Sequence, residues 1–110
     1  MREASFTFAD GRQLRWREVG RGRPLVLLHG WAMSAAVFTE VAALLSADFR
    51  LLIPDLPGHG HSSPCPKNDL AGISADLECW IAATTKESVS LVGWSLGGML
   101  SLALARHNRL

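Results

Sequence analysis

Gly93-Trp94-Ser95-Leu96-Gly97-Gly98 is preceded by the short apolar run Val89-Ser90-Leu91-Val92 and followed by a stretch to Ala105 that is apolar nearly all round. The run predicts a strand buried inside a sheet, and the stretch from Ser95 to Ala105 a central, buried helix. The strand then turns straight into the helix at Ser95, which is the setting in which a G-x-S-x-G sequence forms a nucleophile elbow. So tight a turn holds its serine in a strained backbone conformation. Strand and helix pass so closely that side chains at Gly93 or Gly97 would collide. The hydroxyl is presented at the carboxyl end of the sheet and the positive end of a helix, where negative charge developing on an attacked carbonyl is favoured. Without a strand before it and a helix after it, the same pattern is a helix starting on small residues.

Upstream, Leu25-Val26-Leu27-Leu28 and Leu51-Leu52-Ile53 are continuous apolar runs of the kind carried by strands covered on both faces. Between them Val37, Phe38, Val41, Leu44 and Leu45 recur at helical spacing over Ala35 to Leu45, with Ser34 as cap. Leu70, Ile73, Leu77, Trp80 and Ile81 mark a second amphipathic helix. Strand, crossover helix and strand make a parallel unit. Residues 54–69 hold Pro54, Pro57, Pro64 and Pro66 with Gly58 and Gly60, and read as a loop. At the start, Ser5 to Ala9 alternates with Phe6 and Phe8 on one face, Asp10-Gly11 signals a turn, and Arg12 to Val19 places Leu14 and Trp16 on one face. This predicts an antiparallel pair at a sheet edge. The fold class is therefore α/β, a three-layer α/β/α arrangement with a mostly parallel sheet and an N-terminal antiparallel hairpin, in the order β-hairpin then βαβαβα.

The chain has 110 residues, 48% hydrophobic and 19% charged, which suits one globular domain and no more. Eleven Lys+Arg against ten Asp+Glu leave a net charge of +1 without a basic block, so nucleic acid is not an expected partner. Cys65 and Cys79 have neither CxxC nor zinc spacing; no disulfide framework and no metal are expected, and a reduced, cytoplasmic setting is. No apolar stretch has the length of a membrane span or the form of a signal segment, so no membrane is expected as partner. Gly20-x-Gly22 lacks the third glycine of a dinucleotide fingerprint and follows the wrong kind of strand.

Leu28-His29-Gly30-Trp31 ends the first buried strand, where the same architecture draws a second oxyanion donor from the backbone of the following loop. The two donors are assigned to the N–H groups of Trp31 and Leu96. His29, just before the loop glycine, reads as a hydrogen-bonding support of that loop rather than a catalytic base. His59 and His61 read as exposed loop residues, and His107 as a cation suited to the end of the last helix. Trp94 and Met33 read as pocket lining or rim, Trp16 and Trp80 as core, Cys79 as a small buried hydrophobe and Cys65 as a loop thiol.

His29-Gly30-Trp31, Asp55-Leu56-Pro57-Gly58-His59-Gly60-His61-Ser62 and Gly93-Trp94-Ser95-Leu96-Gly97-Gly98, in this order, resemble the amino-terminal half of the α/β-hydrolase superfamily. Residues 1–110 would then be the amino-terminal part of a single domain whose remainder lies outside the chain. Within the superfamily, the pairing of HGW with GWSLGG and the nearby Met33 is similar to the pimeloyl-[acyl-carrier protein] methyl ester esterases of biotin biosynthesis. The resemblance implies a serine carboxylic-ester hydrolase with Ser95 as nucleophile, Trp31 and Leu96 as oxyanion donors, and His29, Gly30, Gly93, Gly97 and Gly98 as support. It implies a small ester substrate linked to acyl carrier protein, no cofactor, and a loop-ordering role for Asp55.

The resemblance also implies a triad in the order Ser, Asp or Glu, His, with the last two after later strands. Neither is in this chain, nor is a lid. By itself the chain is expected to be inactive and to associate through an uncovered apolar sheet edge. A serine at the elbow departs from haloalkane dehalogenases, where a carboxylate would stand. Lactonase, C–C hydrolase, acyltransferase and perhydrolase activities share the same elbow, and a truncated, non-catalytic binding protein is the alternative outside catalysis.

Overall fold

Alternate residues of the apolar run at 25–28 serve opposite faces of one sheet. Leu25 and Leu27 pack with Phe38, Ala42, Leu51 and Ile53, whereas Val26 and Leu28 pack with Leu52, Leu77, Trp80, Leu100 and Leu104. Burial on both faces is why the run does not alternate with polar residues. The computed structural model describes residues 1–106. Its elements are β1 (Arg2–Thr7), β2 (Gln13–Val19), β3 (Arg23–Leu28), a 3₁₀ turn (Ala35–Phe38) leading into α1 (Thr39–Leu45), β4 (Phe49–Pro54), α2 (Leu70–Thr84), β5 (Ser90–Gly93) and α3 (Leu96–Ala105). The sheet order is β1-β2-β4-β3-β5, with β3 parallel to β4 and β5, β2 antiparallel to β4 and β1 antiparallel to β2. Helix α1 covers one face and helices α2 and α3 the other, so the three layers and the antiparallel edge pair are those the sequence predicts.

Several local expectations change. Strand β1 starts at Arg2 and ends before Phe8, because the turn runs from Phe8 to Gly11: the Gly11 N–H donates to the Phe8 carbonyl (2.9 Å), and Gly11 takes φ 91°. The helix predicted from Ala35 opens as a 3₁₀ turn, with the Ser34 hydroxyl accepting from the Ala36 N–H at 3.3 Å. Its buried stripe is Ala35, Phe38 and Ala42, while Val37, Val41 and Leu44 face solvent. The two alanines let the backbone approach the sheet, and the larger residues form a second stripe on the far side. Gly20 and Gly22, at φ 92° and 120°, lie against the backbone of residues 46–49, where a side chain would overlap carbonyl groups. Their role in this turn accounts for both glycines without a nucleotide.

Strand β5 and helix α3 have the composition of elements buried on both sides, and among the described residues they form the uncovered apolar edge expected of residues 1–110 by themselves. Strand β5 pairs with β3 on one side and with nothing among the described residues on the other, so Ser90, Val92 and Gly93 are exposed. Helix α3 buries Gly97, Leu100 and Leu104 but leaves Met99 and Leu102 57% and 73% exposed. The opposite edge differs: β1 carries Arg2 and Glu3, and Arg2 pairs with Glu18 at 3.0 Å. Charge of this kind discourages strand pairing, and β5 has none.

The cysteines exchange their expected places, Cys79 being exposed and Cys65 buried. Burial and a hydrogen bond to Asp76 push the Cys65 thiol up. Asp76 on α2 receives a two-point ion pair from Arg12 (2.6 and 3.0 Å), tying the start of β2 to the helix layer. Trp16 packs edge-to-face on the fully buried Trp80, as core residues. No helix among the described residues is long and apolar enough to cross a membrane.

Candidate active site

Strand β5 keeps its pairing to its last residue, and the Trp94 N–H then donates to the Leu28 carbonyl at 3.0 Å, so the chain enters the next turn pinned to the end of β3. Ser95 follows with φ 58° and ψ −113°, a left-handed conformation that a non-glycine residue adopts at a cost of about 1–3 kcal/mol. The N–H groups of Gly97, Gly98 and Met99 turn back onto the Trp94 and Ser95 carbonyls at 2.9–3.2 Å and start α3. A Cβ on Gly93 would overlap the Gly97 carbonyl, and one on Gly97 would overlap the Leu28 carbonyl. Gly98 has room, with 3.5 Å to the Gly93 oxygen. The close crossing therefore requires two of the three glycines, and it leaves the Ser95 side chain exposed at the carboxyl edge of the sheet.

The loop after β3 reaches the same place. A Cβ on Gly30 would lie 3.5 Å from that of Ser95 and 3.3 Å from the Trp94 oxygen. The Met33 N–H donates to the Gly30 carbonyl at 3.2 Å, closing a turn in which Ala32 has φ 62°. A positive φ at the third position is the geometry of a type II turn, normally given to glycine. Ala32 and Ser95 are the non-glycine residues with positive φ among those described, so the backbone strain is gathered at this site. The N–H groups of Trp31 and Leu96 find no acceptor among the described residues. Leu96 follows Ser95 directly in the chain, and Trp31 follows Gly30, whose Cβ position lies 3.5 Å from that of Ser95.

His29 is fully buried, and both ring nitrogens are committed. The Leu56 N–H donates to Nε2 at 2.9 Å, so Nδ1 carries the proton and donates to the Gly30 carbonyl at 2.7 Å. Burial pushes its pKa down, outweighing the bond to Gly30. No nitrogen remains to take a proton from Ser95. Because the folded pKa lies below the unfolded value of about 6.5, the native state binds fewer protons, and stability present above that value is lost as pH falls from it through the folded pKa. We expect the urea midpoint to drop between pH 7.5 and 5.5, and the drop to shrink in His29→Gln, which keeps an acceptor but does not titrate. An unchanged slope in that variant would assign the acid sensitivity elsewhere.

The Pro- and Gly-rich loop after β4 clamps this assembly. Asp55 accepts from the Ala35 N–H at 2.8 Å with one oxygen and from the His61 N–H at 3.1 Å with the other, and Gly60 passes so close that a Cβ would overlap the carboxylate. Ser62 and Ser63 accept from the backbone of Arg15 and Gln13, stitching the loop to β2. His61 is exposed, as the sequence predicts, but His59 is buried, correcting the expectation of an exposed loop residue. Its ring meets those of His29 and Trp31. Nothing in the composition of the loop signals this, since it follows from how two loops dock. The positive φ of Ala32 is equally hidden, because alanine does not mark it. Trp94 is half exposed at the rim, the Met33 sulfur lies 3.4 Å from the Cβ position of Gly30, and His107 is outside the described residues.

Residues 23–109 match the alpha/beta hydrolase fold family. The chain is 43% identical over 95 residues to a pimeloyl-[acyl-carrier protein] methyl ester esterase from Vibrio atlanticus, covering 86% of this chain and 35% of the relative. It is similar to an alpha/beta hydrolase structure from Novosphingobium aromaticivorans with TM-score 0.88 and 30% identity, over 97% of this chain and 40% of that one. A haloalkane dehalogenase loop variant from Bradyrhizobium elkanii gives TM-score 0.91 at 25% identity, over 99% and 37%. This chain thus spans about a third of the length of the curated relatives it matches.

Proposed function

Because the chain belongs to the alpha/beta hydrolase fold family, we propose that it carries the nucleophile and oxyanion hole of a serine carboxylic-ester hydrolase. Ser95 Oγ attacks the ester carbonyl carbon, its proton passes to a base, and the oxyanion is held by the N–H groups of Trp31 and Leu96. Collapse of the tetrahedral intermediate expels the alcohol, which takes the proton from the base. Water then attacks the acyl-serine by the same route and releases the acid. His29, with both nitrogens committed, is not that base; we read the base and the acid that orients it as residues that follow α3, the order that the family resemblance implies. What carries the reading is the strained, exposed Ser95, fixed by the Gly93–Gly97 crossing beside the loop at Gly30.

The 43% identity to a pimeloyl-[acyl-carrier protein] methyl ester esterase supports a methyl ester on an acyl carrier protein as substrate, with methanol as the leaving alcohol. Two free thiols suit a reducing, cytoplasmic setting. We expect the catalytically complete protein to demethylate pimeloyl-acyl-carrier-protein methyl ester and to restore biotin-free growth to a host lacking its own esterase. Failure of both, with turnover of another ester, would remove this substrate and leave the esterase reading standing. Residues 1–110 alone are read as inactive and as self-associating through β5, whose bare apolar edge supports this; light scattering showing a stable monomer would exclude it.

A further inference from the structure

His59 leaves solvent to sit between two side chains of a different loop. Its ring meets that of His29 edge-on at 5.1 Å and 62°, and that of Trp31 at 5.1 Å and 83°. Its polar edge is tied back within its own loop, Nδ1 lying 3.1 Å from the Pro57 carbonyl. Trp31, by contrast, is 63% exposed. Its backbone lies between Gly30 and Ala32, in the turn strained at Ala32, and such strain persists only where neighbouring groups over-determine the conformation. His29, bonded to Leu56, holds the chain before the turn, and Asp55, bonded to Ala35, holds it after. His29 also donates from Nδ1 to the Gly30 carbonyl at 2.7 Å, which holds the peptide carrying the Trp31 N–H from its oxygen side, and His59 packs against both that imidazole and the indole on the other side of the peptide.

We propose that His59 is a positioning residue that fixes the direction of the Trp31 N–H by packing its ring against the indole, as an aromatic surface and not as an acid or base. Offset and edge-to-face ring pairs are directional contacts, so an aliphatic side chain of similar bulk does not replace one. The catalytic consequence rests on Trp31 being an oxyanion donor; the structural one does not.

Two variants test it. His59→Leu fills the space without a ring, and His59→Phe keeps the ring without nitrogens. The Met33 amide, whose bond to Gly30 closes the turn, reports on the loop by hydrogen–deuterium exchange read by mass spectrometry, whether or not the protein is active. We expect its exchange to quicken about ten-fold in His59→Leu, with α2 unaffected, and to return to the wild-type rate in His59→Phe. In the catalytically complete enzyme, kcat should fall about ten-fold in His59→Leu with KM nearly unchanged and recover in His59→Phe, compared with about 10²–10³-fold for loss of an oxyanion donor. Unaltered exchange in His59→Leu overturns the proposal, and so does a His59→Phe variant as impaired as His59→Leu, which would make the imidazole itself necessary. Absence of any Ser95-dependent hydrolysis in the wild type would instead count against the esterase reading, while exchange still decides the role of His59.

Discussion

Replacing Ser95 with alanine should lower kcat/KM for a short p-nitrophenyl ester by at least about four orders of magnitude in the complete enzyme, with the thermal midpoint almost unmoved. The hydroxyl is exposed and makes no hydrogen bond among the described residues, so its removal strands no partner. Alanine bears the φ of 58° no better and no worse than serine. Ser95→Gly should be equally inactive but more stable by about 1 kcal/mol, since glycine adopts that conformation without steric conflict. An inactive variant more stable than the parent is the expected mark of a residue held in place for chemistry. Wild-type turnover by Ser95→Ala would remove Ser95 from the reaction.

Gly97→Val should be the most damaging single change to the fold at this site, costing about 3 kcal/mol or more. Its Cβ would overlap the Leu28 carbonyl oxygen and come within 2.9 Å of the His29 oxygen, and both are backbone atoms. Relief requires α3 to move off β3, which uncovers Leu100 and Leu104 and displaces Ser95 with them. Gly98→Ala, with 3.5 Å to its nearest neighbour, serves as the control and should fold normally. Circular dichroism melts of the two variants separate the outcomes. A Gly97→Val protein as stable as its parent would show that strand and helix do not cross at this distance.

The parts of the fold legible in the sequence are those fixed by short-range pattern. Leu25–Leu28 and Leu51–Ile53 announce strands covered on both faces, and the glycines at 93 and 97 announce a crossing that leaves no room for side chains. The parts that were not legible depend on what lies next to an element. The uncovered apolar edge at β5 is expected, but which side chains of α3 it leaves bare, Met99 and Leu102, is not marked by their composition. His59 has the composition of a surface loop but is carried inward by the docking of that loop on His29 and Trp31. Composition cannot report either case, because each depends on a neighbour distant in the chain.

The sheet order bears on the making of the chain as well as on its stability. Leu25 of β3 lies opposite Leu51 of β4 on one side and Ser90 of β5 on the other. A ribosome working at roughly 5–20 residues per second needs about 2–7 seconds to pass from the end of β4 to the start of β5. Throughout that interval β3 has one open edge, and the apolar surface that α3 later covers is bare. Collapse of a short chain takes on the order of microseconds, so the nascent protein must wait in a partly paired state for β5. The turn bearing Ser95 is assembled only when that strand arrives, and the tempo of translation over residues 55–89 sets how long the open edge is available to other nascent chains.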